Sequence, residues 1–109
     1  MPKLYFRYGT MNSSKTANLI MTAHNYKSLG KKVCIIKPCL DSRTENINSR
    51  ALGDLEVDIF LDEHTLIDKL SSDISCVLVD EAQFLSERNI DNLREITLTT
   101  PVICYGLRT

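Results

Sequence analysis

The 109 residues carry 13 Lys and Arg against 14 Asp and Glu, a formal net charge of −1, and this balance lacks the basic footprint of a general nucleic-acid binder. The length suits one domain, residues 1–109, able to bury a core. No apolar stretch reaches membrane-spanning length, and the N-terminus enters a strand-like run without a signal-peptide pattern.

Residues 3–8 alternate enough to predict a first strand. It runs directly into Gly9-Thr10-Met11-Asn12-Ser13-Ser14-Lys15-Thr16. The phosphate-loop pattern G-x-x-x-x-G-K-[ST] needs a tight turn with inward N–H groups, a lysine against phosphate charge and a hydroxyl for Mg²⁺. Gly9, Lys15 and Thr16 fit, while Ser14 replaces the second glycine. A side chain there crowds the phosphate or strains φ, although a serine hydroxyl is small and can bond a phosphate oxygen. The competing reading is a Ser/Thr/Asn-rich turn in which Ser13 or Ser14 caps an ordinary helix.

A helix is predicted from Lys15 to about Leu29, with Leu19, Ile20, Ala23 and Tyr26 at helical spacing and Gly30 ending it. Residues 33–38 read as a buried strand closed by Pro38, completing a βαβ unit with a right-handed crossover. Residues 39–53 are polar and read as a long loop or lid, with Arg43 the best candidate to reach phosphates through its guanidinium fork. A short strand over 55–60 and a helical turn or two over 66–70 follow.

Cys76-Val77-Leu78-Val79 then forms an apolar run ending in Asp80 and Glu81, the pattern of a Walker B strand. Ligands gather at the carboxyl ends of parallel strands, where Asp80 suits hydrated Mg²⁺ and Glu81 an acceptor proton. The alternative is an acidic start to a solvated helix. A helix over 86–96 and a strand over 101–105 complete the reading. The expected fold is α/β, a P-loop NTPase-like parallel sheet flanked by helices, with four or five strands and three helices falling short of a finished doubly wound sheet at the C-terminus. Cys34, Cys39, Cys76 and Cys104 lack C-x-x-C pairing, and three sit in predicted strands. They are expected as reduced core residues of a cytoplasmic protein. His24 and His64 stand alone and read as surface or packing residues.

With these residues in view, the chain resembles the cellular, zinc-containing type of thymidine kinase. The carrying segments are Tyr8 to Thr16, Lys37-Pro38 with Asp41-Ser42-Arg43, Ser49-Arg50-Ala51-Leu52-Gly53, Val79-Asp80-Glu81-Ala82-Gln83-Phe84 and Tyr105-Gly106-Leu107-Arg108-Thr109. The resemblance implies ATP on Gly9, Thr10, Met11, Asn12, Ser13, Ser14, Lys15 and Thr16, with Arg43 and the segment Asp80, Glu81, Ala82 and Gln83 near the phosphates. It further implies Mg²⁺ near Thr16 and Asp80, Glu81 as base on the thymidine 5′-hydroxyl, and Met11 and Phe84 lining the nucleoside pocket. On residue type alone, Phe84 is equally an ordinary core aromatic and Met11 a gap filler. The family continues past the segment ending at Thr109 into a helix and strand, a four-cysteine zinc module and a lid loop, and its complete members imply a homotetramer. Two other classes stay open: a recombinase-like or helicase-like ATPase, whose glutamate activates water, and an inactive nucleotide-binding remnant.

Overall fold

The computed structural model describes residues 4–9, 12–38, 51–52, 55–62, 64, 66–68 and 70–107. Strand β1 (Leu4–Gly9) leads to helix α1 (Asn12–Ser28), strand β2 (Lys32–Pro38), and the short strands β3 (Ala51–Leu52), β4 (Leu55–Glu56) and β5 (Ile59–Leu61). Strand β6 (Ile74–Val79), a 3-10 turn (Ala82–Phe84), helix α2 (Glu87–Ile96) and strand β7 (Val102–Leu107) follow. The main sheet has the order β1-β7-β6-β2-β5 and every neighbouring pair in it is parallel.

Side chains alternate across a strand with period two, so the numbering alone divides the core. Cys34 and Ile36 of β2, Val77 and Val79 of β6, and Val102 and Cys104 of β7 share one cluster with Leu93 of α2. Their neighbours Ile35, Cys76, Leu78 and Tyr105 cluster instead with Leu19 and Ala23 of α1. Each strand thus feeds both faces, and the two helices cover opposite faces. That is why β2, β6 and β7 read as continuous apolar runs. The Tyr105 hydroxyl, buried beneath α1, shares a 2.9 Å hydrogen bond with the Thr22 hydroxyl.

Several elements depart from the sequence-based expectation. Helix α1 starts at Asn12, three residues before Lys15, so Asn12, Ser13 and Ser14 belong to its first turn. Residues of this kind favour helix starts, where first-turn N–H groups have no partner within the helix. The stretch expected as one strand over 55–60 is split. Asp58 accepts a hydrogen bond from Ile35 N–H through Oδ2 and donates its own N–H to the Ile35 carbonyl, both at 2.8 Å. This two-way clasp brings the chain onto the sheet, where β5 pairs with β2, while β4 pairs antiparallel with β3. Strand β3 lies within the stretch expected as a loop, of which residues 39–50 lie outside the described residues.

The helical turn expected over 66–70 is absent from the described residues there. The buried Asn92 side chain takes both backbone groups of Ile67: its Oδ1 accepts from Ile67 N–H at 2.6 Å and its Nδ2 donates to the Ile67 carbonyl at 3.0 Å. A backbone satisfied by a side-chain amide has no need of helical bonds. Beside this clamp, a cleft of about 550 Å³ lies between residues 67–74 and α2. It opens at the amino end of β6, away from Asp80.

Helix α2 begins where its cap residues put it. Ser86 Oγ accepts from Asn89 N–H, and Asn89 Oδ1 accepts from Ser86 N–H, both at 3.1 Å. The buried Asn89 also donates from Nδ2 to the Asp62 carbonyl at 3.0 Å, tying the cap to the chain leaving β5. Cys34, Cys76 and Cys104 are free and buried, as expected; Cys39 lies outside the described residues. His24 is exposed on α1 and His64 is exposed in a turn. Among the described residues no helix is long and apolar enough to cross a membrane.

Candidate active site

In a parallel sheet all strands end at one edge, and here that edge collects the residues singled out from sequence. Strand β1 ends at Gly9 and α1 starts at Asn12, so the first turn of α1, with Asn12 to Thr16, lies at the carboxyl edge. Strand β6 ends at Val79 and delivers Asp80 and Glu81 to the same edge. One strand, β7, lies between them, which sets β1 and β6 roughly 10 Å apart at two interstrand spacings. Thr10, Met11 and Arg43 lie outside the described residues, as do the side chains of Gly9 to Thr16.

Asp80 is only 2% exposed, and its N–H donates to the Ile36 carbonyl of β2 at 2.9 Å. The acidic pair therefore does not open a solvated helix: α2 starts only at Glu87, beyond the intervening 3-10 turn. Glu81 adopts φ 54° and ψ 42°, the left-handed region, and is the sole non-glycine residue with positive φ among the described residues. For a residue with a Cβ this conformation costs of order 1–3 kcal/mol, and such outliers gather where function demands them. The reversal stops β6 and launches the Ala82–Phe84 turn, closed by a bond from Phe84 N–H to the Glu81 carbonyl at 3.1 Å.

The Glu81 carboxylate is held as well as its backbone. Gln83 Nε2 donates to Glu81 Oε2 at 2.7 Å, in the short range of charge-assisted hydrogen bonds. Gln83 in turn rests on β7: a Cβ built on Gly106 would stand 3.1 Å from Gln83 Oε1, 3.2 Å from Gln83 N and 3.5 Å from Ala82 Cβ. Gly106 thus lies under a close approach of the turn, while its φ is one that other residues adopt. Phe84 ends the turn half exposed, at 50%, so it is not the core aromatic its residue type allowed.

Sequence reasoning missed three features here. Nothing in the string marks Glu81 as left-handed, since glutamate is not a residue that adopts this region routinely. The Gln83 clasp depends on that same reversal. Gly106 did carry a signal, because a glycine within an apolar strand run often marks close approach of another backbone.

The fold and this edge define a class: an α/β protein of the P-loop type, with a parallel sheet flanked by helices and a strand-to-helix junction at Gly9 to Thr16. Within that class the chain belongs to the thymidine kinase family, whose sequence profile matches residues 2–109. It is similar to the thymidine kinase of Xanthomonas campestris pv. campestris, 41% identical over 119 aligned positions that cover 100% of this chain and 57% of that protein. It is likewise similar to the thymidine kinases of Enterobacteria phage T4, at 39% identity with 100% and 61% coverage, and of Streptococcus pyogenes serotype M3, at 39% with 99% and 61%. The chain spans about three-fifths of the length of these relatives. The recombinase-like or helicase-like alternative is not favoured by these matches.

Proposed function

We infer that this chain contributes the phosphate-binding and proton-accepting portion of an enzyme that transfers the γ-phosphoryl group of ATP to the 5′-hydroxyl of thymidine. The observation that carries this reading is Glu81, held left-handed at the carboxyl end of β6 with its carboxylate clasped by Gln83. A carboxylate fixed at the edge that α1 enters is placed to serve an acceptor beside bound phosphates. The exposed ring of Phe84, three residues on, suits an apolar face for a nucleobase.

First-turn N–H groups of α1 point toward the edge and favour an anion there, with Lys15 adding a positive charge and Ser14 a hydroxyl. The buried Asp80 carboxyl at the sheet edge fits Mg²⁺, a hard cation that prefers oxygen ligands, and Thr16 joins it as a ligand by family resemblance. When bound, Mg²⁺ neutralises charge on the phosphates. Lys15 shares that task. Glu81 takes the proton from the 5′-hydroxyl as the oxygen attacks the γ-phosphorus in line, and the bond to the β,γ-bridging oxygen breaks to release ADP. Met11 and Arg43 are assigned to the nucleoside pocket and the phosphates by family resemblance, as are Thr10, Asn12, Ser13 and Ala82 to the nucleotide.

The product, dTMP, is a DNA precursor, and the reaction is read as deoxynucleoside salvage in the cytoplasm by family resemblance. The whole protein is read as a homotetramer with zinc in a separate four-cysteine module.

The test is Glu81→Gln in the full-length protein. Loss of a positioned general base should lower kcat for thymidine about 10²- to 10⁴-fold while Mg-ATP affinity, read by equilibrium dialysis, stays the same. A normal rate of thymidine phosphorylation would discard the assignment.

A further inference from the structure

We propose that Gln83 is a positioning residue for the phosphoryl-transfer step, acting through Glu81 and seated on the bare backbone of Gly106. The proposal rests on the reading of Glu81 as the base.

A glutamate side chain has three rotatable bonds, and one at a strand end samples many directions unless something holds it. Here the backbone reversal at Glu81 aims the side chain, and the Gln83 amide fixes its tip at 2.7 Å. The Gln83 amide sits between Glu81 and β7. Nε2 donates to Glu81, while Oε1 lies over Gly106 so closely that a methyl group there would stand 3.1 Å away. The β7 backbone at Gly106 therefore narrows the room for the amide to swing away from Glu81.

Amide donation to Oε2 fixes the orientation of the carboxylate and so the direction from which a substrate proton is met. Glutamine suits the role because it orients a neighbouring carboxylate without titrating itself, whereas a lysine would form an ion pair. Positioning of this kind is worth a large factor: displacement of a reacting group by about 1 Å can cost 10²-fold.

The experiment is a double-mutant cycle between Gln83→Met and Glu81→Gln in the full-length protein, measured with thymidine and Mg-ATP. Methionine keeps the length of the side chain and removes the donor. Gln83→Met alone is expected to lower kcat by about 10- to 100-fold with both KM values and the thermal midpoint unchanged. In the Glu81→Gln background the same change should cost nothing further, because the group it positions is gone. Gln83→Leu supplies the same readings should methionine disturb the turn.

Three results overturn the proposal while leaving Glu81 as base: wild-type kcat in Gln83→Met beside a slow Glu81→Gln, an equal penalty in both backgrounds, or a rise in the KM for ATP alone. The second and the third would mean that Gln83 touches the nucleotide directly. Full activity of Glu81→Gln would instead remove the base assignment itself.

Discussion

Gly106→Ala tests the packing beneath the site with one methyl group. Its Cβ would stand 3.1 Å from Gln83 Oε1 and 3.2 Å from Gln83 N, closer than carbon tolerates either atom comfortably, while 3.5 Å to Ala82 Cβ is ordinary contact. The Oε1 atom ends a flexible side chain but is tied through its amide to Glu81, and the Gln83 nitrogen belongs to the backbone of the 3-10 turn. Relief therefore requires either breaking the clasp or lifting the turn by a few tenths of an ångström. Overpacking of this kind costs about 1–3 kcal/mol. Against it stands a gain of about 0.4–1 kcal/mol from the less flexible unfolded chain, since Gly106 has no positive φ to forbid alanine. The net loss is about 1 kcal/mol, or a fall in Tm of about 2–4 °C for a protein of about 150–250 residues, the size class of the full-length relatives. Because either route moves the Glu81 carboxylate, kcat should fall about threefold to tenfold on the same positional argument. Differential scanning calorimetry and steady-state kinetics on the full-length protein give both numbers. A raised Tm with unchanged kcat would show that the unfolded-chain term alone operates and that nothing leans on Gly106.

Two further outcomes follow from the α2 cap and from the buried thiols. Ser86→Ala removes one half of the reciprocal cap and should cost about 1 kcal/mol by denaturant midpoint. Asn89→Ala should cost more, since it also strips the Asp62 carbonyl of its partner, and the double variant should lose less than the sum. Burial pushes the Cys104 thiol up to about 12 and, with the Asp58 charge assisting, Cys34 up to about 11; Cys76 is raised by burial too. An unfolded thiol titrates near ~8.5, so the stabilisation is complete below that pH and is lost as pH rises toward the folded values. Each thiol adds a slope of up to about 1.4 kcal/mol per pH unit in that window. Cys104→Val should flatten the alkaline decline by one such contribution, and an unchanged slope from pH 9 to 11 would contradict the burial argument.

The parts of the fold that were legible from the residues are those in which local pattern and tertiary environment agree. Cys76 to Val79 and Val102 to Tyr105 read as strands because both faces of each are buried, and Ser86 announces α2 because its cap is a local interaction. Two of the failures share one cause: a distant side chain takes over the backbone. Asn92 does so at Ile67 and Asp58 at Ile35, across separations of 25 and 23 residues that no local window contains. Strand order was hidden for the same reason, since the insertion of β7 between β1 and β6 is a property of packing alone. At the site, residue types at Gly9, Lys15, Asp80 and Glu81 were readable, while the left-handed turn that aims Glu81 was not.

That turn is the point where the molecule departs furthest from local preference, and its surroundings explain how it persists. A glycine or asparagine would adopt φ 54° with less strain, yet the position carries a glutamate. Strain of order 1–3 kcal/mol is tolerated only where neighbouring structure over-determines the backbone. Asp80 is pinned upstream by its bond to the Ile36 carbonyl, and the turn is closed downstream by the bond from Phe84 N–H back to Glu81. Beneath it, β7 presents a glycine so that the turn can settle onto the sheet. Three separate provisions thus serve to hold one carboxylate, two of them on other strands. A chain that needed only to end β6 could do so with a glycine and none of these supports, and a strained glutamate held this way is what the proposed role of Glu81 as proton acceptor calls for.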